Sequence, residues 1–168
     1  FSPELDPDFI PLPVFMESFL RSATVPFAVA IEREDNQVQV YKTFIHDTPE
    51  KEAADRLCAE RLVKFMLWSR SGFRLIICGS RKIYEYIKEV YSAGGKRSFD
   101  FHFMQDVYDR PFEVLYRDYA DCPKPFQKSV SIGRNLDGCR LGFDAGGSNS
   151  KASAVIDGDP GFSDEPVW

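Results

Sequence analysis

The residues with the clearest chemical potential lie in one short stretch, Arg140 to Asp159. Its sequence, RLGFDAGGSNSKASAVIDGD, places an aspartate and two glycines between two segments of strand-like composition. A tight turn with two glycines leaves backbone N–H groups open to an anion and lets a ligand approach the main chain closely. An aspartate at the end of the first strand would repel a phosphate that carries no Mg²⁺, but the same aspartate can hold Mg²⁺ through water. The pattern therefore predicts a phosphate- and Mg²⁺-binding hairpin.

The predicted strands of this hairpin are residues 140–144 and 150–156, and Asp157 with Gly158 makes the next turn. Asp144 is the predicted metal-binding residue. The predicted cofactor-binding residues are Asp144, Gly146, Gly147, Ser148, Asn149, Ser150 and Lys151. Lys151 would add positive charge near the turn, unless strand alternation directs it to the other face. The alternative is an ordinary hairpin whose glycines only make the turn.

The segment GFDAGGSNSKASAVIDGD resembles the first phosphate-binding hairpin of the actin-like ATPase superfamily, which includes sugar kinases, heat-shock chaperones and actin. Within it, DAGGS is most similar to the ROK family of sugar kinases and repressors, whose pattern is D-x-G-G-T followed closely by Lys. The resemblance implies that Asp144 holds Mg²⁺ through water and that Gly146, Gly147 and Ser148 meet the β- and γ-phosphates of ATP. Ser148 replaces the usual Thr, and Lys151 comes later than the family lysine.

The resemblance implies an ATP-dependent carbohydrate kinase, which transfers the γ-phosphoryl group of Mg-ATP to a sugar hydroxyl. The family's catalytic aspartate, second phosphate loop and adenosine loop lie downstream of this hairpin. The chain is therefore expected to contribute the phosphate and Mg²⁺ part, with no catalytic residue of its own. The expected partners are a nucleotide and a small-molecule sugar.

Three other functions stay open. One is a sugar-sensing or scaffold protein that keeps the hairpin without kinase activity. Another is an activator ATPase of the 2-hydroxyacyl-CoA dehydratase type, because the spacing of DAGGSNSKA also resembles the pattern D-x-G-S-T-T-T-K-A of those proteins. The third is an α/β interaction domain whose hairpin binds nothing.

The composition of the chain argues against several classes of function. The formal net charge is -5 at pH 7, and no cluster of Lys and Arg breaks this acidity, so binding to nucleic acid is not expected. No apolar run approaches the roughly 20 residues of a membrane span. The cysteines form no C-x-x-C pair, which favours a reducing, cytoplasmic location over a disulfide framework. A homo-oligomer is compatible with the sequence.

The remaining chemistry-bearing residues are scattered. His46 and His102 stand apart from each other and from the cysteines, so a metal–thiolate site is not expected. Cys58 and Cys78 sit in apolar segments, which predicts small buried hydrophobes. The turn ICGS, which ends at Ser80, follows an apolar strand and is typical either of a ligand-binding turn or of a simple helix cap. No catalytic constellation is predicted in this part of the chain.

Two domains are predicted to position these residues. Residues 1–130 are predicted to form an α/β accessory domain, a layered mixed sheet with flanking helices, either unrelated to the ATPase fold or a degenerate actin-like half. Residues 131–168 are predicted to begin an actin-like (ribonuclease H-like) ATPase domain with its first β-hairpin, truncated at Trp168.

The predicted order in the first domain, after a short helix, is strand, strand, helix, strand, helix, strand, strand. The predicted elements are a helix Val14–Ala23, strands Phe27–Arg33 and Gln37–Ile45, a helix from Thr48 to Gly72, a strand Phe73–Ser80, a helix capped by Ser80, and strands Ser98–Gln105 and Phe112–Asp118. Thr48 is the predicted N-cap, with Pro49 at the first helical position. The predicted apolar stripe of this helix comprises Ala54, Leu57, Cys58, Leu62, Phe65 and Met66.

Overall fold

The computed structural model describes residues 9–129, 133 and 135–167. The chain divides into two units, Phe1–Lys128 and Ser129–Trp168. In the first unit a mixed sheet of four strands is flanked by helices. The α/β fold class predicted for this part of the chain is therefore confirmed.

The strands of the first sheet are β1 (Val25–Arg33), β2 (Gln37–Ile45), β3 (Arg74–Cys78) and β4 (Glu113–Arg117). They lie in the order β2-β1-β3-β4. β1 is antiparallel to both β2 and β3, whereas β3 and β4 are parallel. A parallel pair cannot be joined by a tight turn, so the chain crosses over through helices between β3 and β4.

The helices are α1 (Leu12–Leu20), α2 (Glu52–Arg70), α3 (Arg81–Val90) and α4 (Ser98–Tyr108), with single 3-10 turns at Glu34–Asn36, Pro49–Lys51 and Tyr119–Asp121. The main core lies between the helices and one sheet face, and its largest fully buried side chains include Phe27, Ile31, Leu75, Ile77 and Ile87. A smaller core covers the opposite face with Ala28, Ala30, Ile76 and Cys78. Both sheet faces are therefore buried around β1 and β3, which explains their nearly continuous apolar sequences.

The strand predicted at Ser98–Gln105 is wrong, because this segment belongs to α4. Asp100 and Met104 are four residues apart and both buried, so the helical spacing faces the core. The alternating phenylalanines suggested a strand, but Phe99 and Phe103 lie on the exposed side of the helix, where they stack on each other. Their period of four residues fits α4 as well as a strand.

Asp100 anchors α4 to α2. Its carboxylate accepts hydrogen bonds from Lys64 Nζ at 2.7 Å and from Trp68 Nε1 at 2.8 Å. A buried carboxylate needs such partners, since an unpaired charge in the interior is costly. These contacts span more than thirty positions in the sequence, and they stabilise the segment as a helix against α2.

The predicted start and stripe of α2 also need correction. A 3-10 turn, Pro49–Lys51, precedes the helix, and the side chain of Thr48 makes no capping hydrogen bond. Leu57 and Phe65 are exposed rather than part of the core. The hydrophobic residues that α2 buries are Cys58, Ala59, Leu62, Val63, Met66 and Leu67. The buried face of α2 is therefore rotated away from Leu57 and Phe65 and is centred near Ala59. The small side chain of Ala59 lets α2 pack closely on the sheet.

The second unit is a three-stranded antiparallel sheet with the order β5-β6-β7. Its strands are β5 (Cys139–Ala145), β6 (Ser150–Ile156) and β7 (Asp159–Asp164). The two predicted strands thus form a hairpin, and β7 adds to its edge. Asp157 and Gly158 have φ values of 48° and 92° in the β6–β7 turn, which is the combination that a tight hairpin of type I′ requires.

The two faces of this second sheet differ in polarity. Leu141, Phe143, Ile156 and Phe162 share one face by strand alternation and register, and all four are exposed. The opposite face carries polar residues, among them Asp144, Lys151 and Ser153. Of the candidate phosphate-binding residues, Asp144 and Lys151 therefore lie on the polar face, whereas Ser150, which pairs with Ala145, lies on the apolar face. The others, residues 146–149, lie in the turn between β5 and β6.

Candidate functional site

Asp144 and Lys151 lie directly opposite each other in the β5–β6 hairpin. Directly paired residues of antiparallel strands project from the same face of a sheet. Lys151 is therefore not directed away from Asp144, which the sequence had left open. Both residues are exposed, so the hairpin presents one carboxylate and one ammonium group beside the glycine turn.

The two glycines of the turn have different roles. The backbone N–H of Gly146 donates to the carbonyl oxygen of Asn149 at 2.8 Å, which closes the turn. A Cβ on Gly146 would lie 2.8 Å from Asn149 Oδ1 and 2.9 Å from its carbonyl oxygen, whereas a Cβ on Gly147 would meet nothing within 4 Å. Gly146 is therefore needed by the turn itself. Gly147 leaves open space at the main chain, as the approach of a phosphate requires.

An acidic residue just after β7 contacts the turn. Asn149 Nδ2 donates a hydrogen bond to Glu165 Oε1, and Lys151 Nζ lies 3.6 Å from the same oxygen. The Lys151–Glu165 pair has about half of each side chain exposed, so it contributes little to stability and can open readily. The positive charge at the turn is thus balanced, in this structure, by Glu165.

The remaining predicted residues are divided between the turn and the strand. Ser148 is exposed in the turn, whereas Ser150 is buried at the start of β6. The backbone N–H of Ser150 donates to the carbonyl of Pro166 at 3.0 Å, so it is occupied within the unit. The structure therefore groups Asp144, Gly147 and Lys151 with Ser148 around an accessible turn, and it gives Ser150 a packing role.

Within residues 9–129, 133 and 135–167, no group of three or more His, Cys, Asp or Glu side chains is placed to hold a metal ion. No helix in the same residues is both long enough and apolar enough to cross a membrane. At the turn ICGS, the hydroxyl of Ser80 accepts from the backbone N–H of Ile83 at 3.4 Å, so this serine caps α3.

The structure also joins three residues that the sequence did not connect. Ser22 Oγ lies 2.9 Å from His46 Nε2, and His46 Nδ1 lies 2.8 Å from Asp55 Oδ1. Ser22 follows α1, His46 follows β2, and Asp55 is in the first turn of α2. The structure therefore brings a serine, a histidine and an aspartate of the first unit into one hydrogen-bonded chain, a grouping that the sequence analysis did not predict.

Sequence spacing offered little help in finding this group. Its members are separated by 24 and 9 positions, and their contact depends on α1 packing beside the β2–α2 connection. One feature of the sequence does point to the group. Asp55 falls on the face of α2 that packs on the sheet, and a buried carboxylate requires hydrogen-bond donors nearby.

Comparisons with protein-family models, with curated proteins and with solved structures found no match for this chain.

Proposed function

We propose that the β5–β6 hairpin binds the phosphates and Mg²⁺ of ATP in an ATP-dependent sugar kinase-like protein of ROK type. The observation that carries this proposal is the pairing of Asp144 with Lys151 on one polar face, beside a turn in which Gly147 leaves the main chain accessible. The likeness of DAGGS to the ROK pattern supports the same assignment.

The residues of the hairpin would bind and orient the nucleotide. Asp144 would hold Mg²⁺ through water, and the backbone at Gly147 and the Ser148 hydroxyl would face the phosphates. Lys151 would offset phosphate charge after its exposed ion pair with Glu165 opens. ATP would supply the phosphoryl group for a sugar hydroxyl. Such a site acts by positioning the phosphates and stabilising their charge.

A second function is favoured by Glu165. Its carboxylate accepts a hydrogen bond from the Asn149 amide and forms an ion pair with Lys151. These are two of the groups that a bound phosphate would contact. In a sugar-sensing or scaffold protein the hairpin would keep this internal arrangement and bind no nucleotide. The two functions differ in whether Mg-nucleotide displaces Glu165 from the turn.

The test is calorimetric titration of the full chain with Mg-ADP and Mg-ATP. Asp144→Asn keeps the shape of the side chain and removes its charge, so we expect an affinity at least about tenfold weaker, or roughly 1.4 kcal/mol. Asp159→Asn removes an exposed acid from β7, at the far turn, and should leave the affinity unchanged. Equal affinities of the wild type and Asp144→Asn would overturn the assignment. Absence of nucleotide binding would favour the sensor.

A further inference from the structure

The Ser22–His46–Asp55 group has the order of contacts that nucleophilic catalysis uses. The Asp55 carboxylate is buried and accepts the backbone N–H of His46 at 3.0 Å and that of Asp47 at 2.8 Å, in addition to the His46 ring. The His46 side chain is 7% exposed and its ring packs edge-on against Phe19. Ser22, in contrast, is exposed. An exposed hydroxyl is thus linked through an immobilised imidazole to a buried carboxylate.

The contacts of Asp55 determine which ring nitrogen of His46 carries the hydrogen. An ionised carboxylate only accepts hydrogen bonds, so the Nδ1 that lies 2.8 Å from Asp55 is the donor. In the neutral ring Nε2 is then the acceptor, and it faces the Ser22 hydroxyl at 2.9 Å. This is the tautomer in which a histidine can take the proton of a serine during attack.

A cavity of about 360 Å³ adjoins these residues. The residues that line it are Ile10, Val14, Phe15, Phe19, Ala54, Ser18, Ser22, His46 and Lys51. Most of this wall is apolar, while Ser22 and His46 place a hydroxyl and an imidazole on it. Lys51 contributes an ammonium group, which can stabilise negative charge that develops on a substrate oxygen. The size and polarity suit a small carboxylic ester with an apolar acyl group.

We infer that Ser22, His46 and Asp55 form an esterase site that is separate from the proposed nucleotide hairpin. The Ser22 oxygen attacks the ester carbonyl carbon while its proton passes to His46 Nε2, and a C–O bond to Ser22 forms. Collapse of the tetrahedral intermediate breaks the bond to the alcohol oxygen, which takes the proton from His46. Water then attacks the acyl-serine in the same way, releases the carboxylic acid and restores the serine. Asp55 orients the ring and stabilises its protonated form.

The experiment uses the full chain with a fluorophosphonate probe, followed by peptide mass spectrometry. Attack by Ser22 forms an O–P bond and breaks the P–F bond, and His46 takes the hydroxyl proton. We expect one label, on Ser22, and none on the Ser22→Ala variant. Ser69→Ala is the control, because Ser69 is an exposed serine on α2 that does not line this cavity; it should label like the wild type.

His46 is tested by the rate of labelling. His46→Gln should lower the rate at least about 100-fold, the size of a general-base contribution. A p-nitrophenyl butyrate assay should show turnover by the wild type and a comparable loss in Ser22→Ala and His46→Gln. The inference is overturned if the wild type takes no label, if Ser22→Ala takes the same label, or if His46→Gln is labelled as fast as the wild type.

Discussion

Alanine at Gly147 separates a ligand-binding turn from a turn that only joins two strands. A Cβ at this position would meet nothing within 4 Å, and the residue has no left-handed φ. The variant should therefore fold as well as the wild type, or up to about 1 kcal/mol better, because alanine restricts the unfolded chain. A methyl group in the open space would nevertheless obstruct a phosphate, so Mg-ADP should bind at least about tenfold more weakly.

Gly146→Ala is the matched comparison, and unlike Gly147→Ala it is expected to lower the stability of the second unit. Its Cβ would lie 2.8 Å from Asn149 Oδ1 and 2.9 Å from the Asn149 carbonyl oxygen. The turn would have to widen, which strains the hydrogen bond between Gly146 and Asn149. Overpacking of this kind costs about 1–3 kcal/mol. Gly146→Ala should therefore destabilise the second unit, whether or not a nucleotide binds there.

Urea unfolding and calorimetric titration of the same two variants provide the measurement. The key comparison is Gly147→Ala, in which unchanged stability with weakened nucleotide binding would locate the phosphates at the main chain of the turn. If Gly147→Ala binds Mg-ADP as tightly as the wild type does, the proposed approach of phosphate at this glycine is refuted. If Gly146→Ala and Gly147→Ala are equally stable, the contact with Asn149 does not restrain the turn.

Two further predictions concern the stability of the first unit. Glu60 is buried and accepts hydrogen bonds from Tyr86, Lys96 and Arg97; burial acts to raise its pKa, but these bonds outweigh burial and hold the pKa below the ordinary value of 4.5. Glu60→Gln should lower the free energy of unfolding by about 2 kcal/mol at pH 7. A carboxylate whose pKa is lower in the folded state than in the unfolded state stabilises the protein at pH values above the unfolded pKa, so the difference in unfolding free energy should shrink as the pH falls below about 4.5 and through the folded pKa. A difference that stays constant from pH 7 to pH 3 in urea titrations would contradict this prediction. Glu85→Gln, at an exposed glutamate, serves as the control. Ser80→Ala removes the N-cap of α3 and should cost about 1 kcal/mol, seen as a lower melting temperature; an unchanged melting temperature would mean that the 3.4 Å contact with Ile83 contributes nothing.

The part of the fold that the sequence predicts well depends on contacts between near neighbours. Strands β1 and β2 pair around the polar residues Glu34–Asn36, and β5 and β6 pair around the glycine turn. In both hairpins alternation and turn residues act within a few positions of each other, so the pattern carries most of the information. The cap at Ser80 is equally local. The same reasoning identified the hairpin as a candidate site.

The sequence by itself thus determined the α/β class and the β5–β6 hairpin, but not the face of the hairpin on which Lys151 lies. The tertiary structure decided that residues 98–105 are helical, because Asp100 meets Lys64 and Trp68 from a distant segment. It also decided which glycine the turn needs and brought Ser22, His46 and Asp55 into one hydrogen-bonded chain. These outcomes depend on contacts between residues far apart in sequence, or on spaces of a few ångströms, and neither is encoded in periodicity or spacing.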